Sequence, residues 1–131
     1  MSGPWTFDEA SEACKEASRR QKDAEDSFQQ AAADAAKGEE QYRLALAEEI
    51  IRQHDSGVAW TVAPDLARGD PRVAELRRRR DIAVGVRDAL DQACWRRNAD
   101  RKDAQRFADW SMRRELAEGY EDTPTEHRRG Q

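Results

Sequence analysis

Between residues 7 and 45 the chain places Phe7, Ala10, Cys14, Ala17, Gln21, Ala24, Phe28, Ala31, Ala35, Gly38, Tyr42 and Ala45 at alternating steps of three and four. That spacing holds one face of an α-helix in line for about six heptads and predicts a seam built of small side chains. Thr6-Phe7-Asp8-Glu9 matches a capping box, with Trp5 before it as a staple, so a helix is expected to start near Phe7. After Tyr42 the stripe steps to Leu46 and Ile50 in the manner of a stutter, and the helix is expected to end near His54, before Asp55-Ser56-Gly57.

A second pattern starts at Asp70, which suits an N-cap, and Pro71, which suits the first helical position. Its stripe runs through Val73, Leu76, Arg80, Ala83, Val86, Leu90, Ala93 or Cys94, Ala104, Phe107 or Ala108, Met112 and Leu116, and stops at Gly119. The two helices, about 7–54 and 71–118, are each about 70 Å long at 1.5 Å per residue. Equal lengths predict an all-α fold: a long antiparallel two-helix hairpin, coiled-coil-like, in a single domain over residues 1–118. The connection, 55–70, holds two glycines and Pro64 and reverses the chain, with Val58, Trp60, Val62 and Leu66 covering the hairpin end. Residues 119–131 are polar and expected to be a disordered tail.

Folding the chain about the middle of this connection pairs residues whose numbers add to about 125. In that register Gly38 lies near Gly85, Arg77 faces Glu48, and Arg80, in the seam, lies within a turn of Glu48 and Glu49. These four charged residues, Glu48, Glu49, Arg77 and Arg80, are expected to form a structural ion-pair cluster that locks the register, because a partly desolvated arginine needs a partner.

Composition reinforces the helical reading. Of 131 residues 37 % are hydrophobic and 38 % charged, and alanine dominates the apolar set, so a thick core is not expected. Residues 1–55 carry 13 acids against 7 bases, whereas 71–118 carry 13 bases against 9 acids, so an acidic arm and an arginine-rich arm attract each other. Large residues such as Tyr42, Trp95, Phe107 and Trp110 need more cover than one partner helix gives, which predicts a homodimer, as a four-helix bundle.

No uncharged run approaches the roughly 20 residues of a membrane span. The N-terminal MSGPWTFDEASEACKE lacks a basic and an apolar region, so no secretory signal is read and a cytoplasmic location is expected. Cys14 and Cys94 share no metal-ligand or redox spacing and read as reduced thiols. No catalytic, cofactor-binding or metal-binding motif is present, and paired acids such as Glu39-Glu40 read as solvated faces. The stretch from Trp95 to Trp110 interleaves aromatics with bases. Trp95, Arg96, Arg97, Arg101, Lys102, Arg106 and Trp110 are therefore candidate contacts for a protein partner or for single-stranded nucleic acid, where stacking beside a cationic track is the usual mode.

LARGDPRVAELRRRRDIA, from Leu66 to Ala83, and WRRNADRKDAQRFADWSMRREL, from Trp95 to Leu116, resemble small helical proteins of actinobacterial phages and prophages. An excess of arginine over lysine, 19 to 4, suits a GC-rich genome. The resemblance implies an accessory role in a phage or mobile element. The chain departs from the small secreted WXG hairpins, since Trp60 is followed by Thr61-Val62. A non-enzymatic interaction or adaptor protein is the expected reading, with a nucleic-acid-binding accessory protein as the alternative, for example in recombination or replication.

Overall fold

In the computed structural model, residues 5–121 are described, except for the side chains of Tyr120 and Glu121. They form three helices and, among the described residues, no strand: α1 (Phe7–Asp55), α2 (Ala63–Arg68) and α3 (Pro71–Glu121). The end signals act as written in the sequence. Thr6 Oγ1 accepts from the Glu9 amide at 3.2 Å while Glu9 accepts from the Thr6 amide at 3.3 Å. Asp70 accepts from the Arg72 and Val73 amides, directly before Pro71. At the other end of α1, the Gly57 amide donates to the His54 carbonyl and the Val58 amide to that of Gln53. This paired closure needs a left-handed residue, and Gly57 supplies it with φ +102°. The expected tail begins later than predicted, because α3 continues through Gly119 to Glu121; the rest of it lies outside the described residues.

The chain divides into two compact units. One comprises 24–94, and the other comprises the two ends of the chain, described here over 5–23 and 95–121.

In the unit of residues 24–94, α1 and α3 run antiparallel and α2 lies in the connection. Tyr42, Ala45 and Val73 form its core, with Leu46 and Leu76 packed against them. The register differs from expectation. Gly38 faces Arg80, Arg80 bonds Glu39 and Arg72 pairs with Glu48, so facing residues add to about 120 and α3 is displaced by roughly five residues, or about 8 Å. The cause is the asymmetric connection. Its middle forms a helix, α2, whose Ala63 and Ala67 are fully buried. Trp60 stacks on His54 at 3.6 Å, on a stretch of α1 that runs past the start of α3.

The displacement separates the two glycines. A Cβ on Gly38 would lie 3.3 Å from Arg80 Cα, whereas one on Gly85 meets nothing within 4 Å among the described residues. Gly85 is an exposed mid-helix glycine, so Gly85→Ala is expected to raise stability by about 0.8–1 kcal/mol, read as a higher urea midpoint with an unchanged slope. A loss of stability would mean that α3 is not helical there or that another chain lies against it.

In the terminal unit, α1 and α3 are again antiparallel. Arg101 Nε donates to Gln21 Oε1 at 2.6 Å, Gln21 bonds Asn98 at 3.4 Å, and the Phe7 amide donates to Glu115 at 2.8 Å. Ala10, Ala108 and Ser111 are buried. The α1 stripe of the sequence is the buried face throughout, every member being buried or part-buried. The α3 stripe is corrected. Its members from Val73 to Ala83, with Leu90, Ala93, Cys94, Ala104 and Ala108, are buried or part-buried. Val86, Met112 and Leu116 are exposed, as is Phe107, the alternative to Ala108, and Arg87, Asn98, Arg101, Ser111 and Arg114 also take inward positions.

Candidate interaction surface

The predicted cluster of Glu48, Glu49, Arg77 and Arg80 does not assemble. With α3 displaced, Arg80 lies beside Glu39, to which Nη1 donates at 3.3 Å, and its other nitrogens bond Asp81 at 2.8 and 3.1 Å. Its guanidinium lies 4.5 Å from the Tyr42 ring centroid, and its side chain is 22 % exposed, so the seam position foreseen for it is real but its partners are others. Glu48 pairs with Arg72 at 3.5 Å. Glu49 is buried and is satisfied within α1 by Arg52, at 2.7 and 2.9 Å, and by Gln53. These donors hold its carboxyl below the ordinary range. Arg77 is exposed and has no hydrogen bond or ion pair among the described residues.

Most α3 guanidiniums are answered by acids on the same helix. Arg78 and Arg79 share Glu75, Arg87 takes Asp88, Arg97 takes Asp100 at 3.7 Å and Arg106 takes Asp103 at 3.4 Å. Hydrogen bonds from Arg78 first, and then Arg79, depress the Glu75 carboxyl from 4.5 to about 2. Because the folded value is depressed, the stabilisation is complete above pH 4.5 and is lost as pH falls through about 2. Glu75→Gln should therefore be less stable than the native chain at pH 7, with the difference closing at pH 2; a constant difference would show that the carboxylate charge is not what matters.

The sequence-predicted contact residues split into two groups. Trp95 is 66 % exposed and Trp110 51 % exposed, and Arg96 and Lys102 are exposed with no ion pair among the described residues. Arg101, by contrast, is turned inward onto Gln21 and Asn98, so it is a seam residue. Arg97 and Arg106 are partly neutralised by their aspartates.

Sequence reasoning missed the surroundings of Trp110. The Trp5 ring meets Phe107 edge-on at 5.6 Å, and Phe107 leans on Trp110 at 5.7 Å. Trp5 thus packs on α3. Arg114 stacks on Trp110 at 4.9 Å, and its Nη2 donates to the Trp5 carbonyl at 2.8 Å. Ser111 Oγ and the Nε and Nη1 of Arg114 are sealed from solvent without a hydrogen-bond partner among the described residues. A cleft of about 260 Å³, lined by Trp5, Ala13, Ala17, Arg20 and Arg97 among others, lies beside this cluster. The signal in the sequence was the i, i+3, i+7 spacing of Phe107, Trp110 and Arg114, which puts them on one face of a helix.

Cys14 and Cys94 are free thiols, and burial, followed by Glu25 and Asp91, pushes the Cys94 thiol up. Among the described residues no three histidine, cysteine, aspartate or glutamate side chains converge to hold a metal, and no helix is long and apolar enough to cross a membrane. Comparison with protein-family models, curated proteins and solved structures found no match to the chain.

Proposed function

We propose that this protein works by binding and not by catalysis, as a helical adaptor that associates with a second copy of itself and with another protein, in the setting of a phage or mobile element and in the cytoplasm of the host. The observation that carries this reading is the number of large apolar side chains left outside the seam. Leu44, Ile51, Trp60, Ile82, Val86, Trp95, Trp110 and Leu116 are each at least half exposed. Singly such residues are ordinary; we take Trp95, Trp110 and Leu116 on α3 and Leu44 and Ile51 on α1 as surface that a partner covers. A homodimer packed as a four-helix bundle covers part of this surface. Light scattering at tens of micromolar is expected to return twice the 15.0 kDa chain mass, and a monodisperse 15.0 kDa species overturns self-association.

A second reading, binding of single-stranded DNA, is favoured by the exposed Trp95 beside Arg96, which has no ion pair among the described residues. The ion pairs within α3 weigh against it, since they cut the positive field that phosphate attraction needs. Anisotropy with a labelled oligonucleotide is expected to give weak binding. A salt-sensitive submicromolar complex abolished by Arg96→Ala with Arg97→Ala would put this reading first.

A further inference from the structure

The patch formed by Phe107, Trp110, Ser111 and Arg114 is occupied in this chain by its own residue 5. We propose that Trp5 is an internal plug, and that the slot it fills takes a segment of a partner protein in which an aromatic residue stands beside a carboxylate; this rests on the binding reading above. Two independent observations point to that chemistry. The present occupant shows what the slot holds, an aromatic ring on the edge of Phe107 together with a carbonyl oxygen on Arg114 Nη2. The present occupant also leaves the site unfinished. A single carbonyl uses one nitrogen of a guanidinium that can bind a carboxylate with two parallel bonds. Among the described residues Nε and Nη1 remain without a hydrogen bond, and so does Oγ of Ser111, whose residue is 0 % exposed. Glu118 stands 3.7 Å from Nε, beyond hydrogen-bonding distance, with a side chain 63 % exposed. Sealed donors without acceptors are costly, so a segment that brings a carboxylate has an advantage over the residue it displaces.

Trp5 is suited to leave. It precedes the helix, is 41 % exposed, and sits outside the capping box, which Thr6 and Glu9 close without it. Trp110 and Arg114, side by side here, are also of the residue types that dominate binding energy at protein interfaces.

The test uses the full chain and two blocked peptides, Gly-Ser-Trp-Asp-Gly-Ser and the same peptide with asparagine in place of aspartate, followed by calorimetry. Removing a plug raises the fraction of open slot, so Trp5→Ala is expected to bind the aspartate peptide about tenfold more tightly than the native chain. Arg114→Gln in the Trp5→Ala background, and the asparagine peptide, should each cancel that gain, and Arg114→Lys, which keeps the charge but not the fork, should restore part of it. Equal affinity of the native chain and Trp5→Ala, no binding to either, or a gain that survives loss of the carboxylate or of Arg114 overturns the proposal. Light scattering of Trp5→Ala separates the two readings: a persisting dimer that ignores the peptide refutes the slot alone.

Discussion

Replacing Tyr42 by alanine is expected to cost about 3–5 kcal/mol, the range for deleting a buried aromatic ring. Among the described residues seven of the nine buried hydrophobic positions are alanine, leaving Tyr42 and Val73 as the large members. Tyr42 is 7 % exposed, packs with Ala45, Val73, Leu46 and Leu76, and carries the Arg80 guanidinium on its face. Ala45 has only a methyl group, and Val73, Leu46 and Leu76 are held on their helices, so the space its ring would leave is not readily refilled. Against a total stability of about 5–15 kcal/mol for a small protein, such a loss approaches unfolding. Circular dichroism in urea should show it, with Tyr42→Phe as the control that keeps the ring and stays within about 1.5 kcal/mol of the native chain. A Tyr42→Ala midpoint close to native would show that the stability of residues 24–94 resides elsewhere.

Gly38→Leu is the second large effect. The Cβ position at Gly38 lies 3.3 Å from Arg80 Cα, 3.8 Å from its Cβ and 3.9 Å from its backbone nitrogen. Main-chain atoms cannot swing aside as a side-chain tip would, so the two helices must part. Overpacking usually costs about 1–3 kcal/mol, and a contact against backbone belongs at the upper end. Leaving glycine in a helix returns roughly 1 kcal/mol of that, so a net loss of about 2 kcal/mol is expected. Because Gly85 faces open space, the same substitution there should not destabilise. If both leucine variants behave alike, the displaced register is wrong.

The face of α1 was legible because small side chains, aromatic residues and caps all agree along it. The face of α3 was only partly so. A reading that follows hydrophobicity selects Val86, Met112 and Leu116 and leaves Phe107 and Ala108 as alternatives. Inward positions also go to Arg87 and Arg101, whose stems lie along the seam while their guanidiniums reach Asp88 and Gln21, and to Ser111 and Arg114, which are not fully satisfied there. The register was misjudged for a different reason: α2 takes up chain on one side of the turn, and a six-residue helix leaves little periodic trace. Trp5 could not be placed from local sequence, since its partners lie more than a hundred residues away.

A seam filled with methyl groups also shapes how the protein responds to temperature. The heat capacity of unfolding grows with the apolar surface newly wetted and shrinks with the peptide surface released. Melting α1 and α3 would release two long runs of backbone amides and little hydrocarbon beyond Tyr42, Val73 and the alanines. The change should fall below the usual 12–15 cal/mol/K per residue, approximately, which flattens the stability curve. Such a molecule loses its fold gradually on warming and keeps it on cooling well past the point where richer cores begin to weaken.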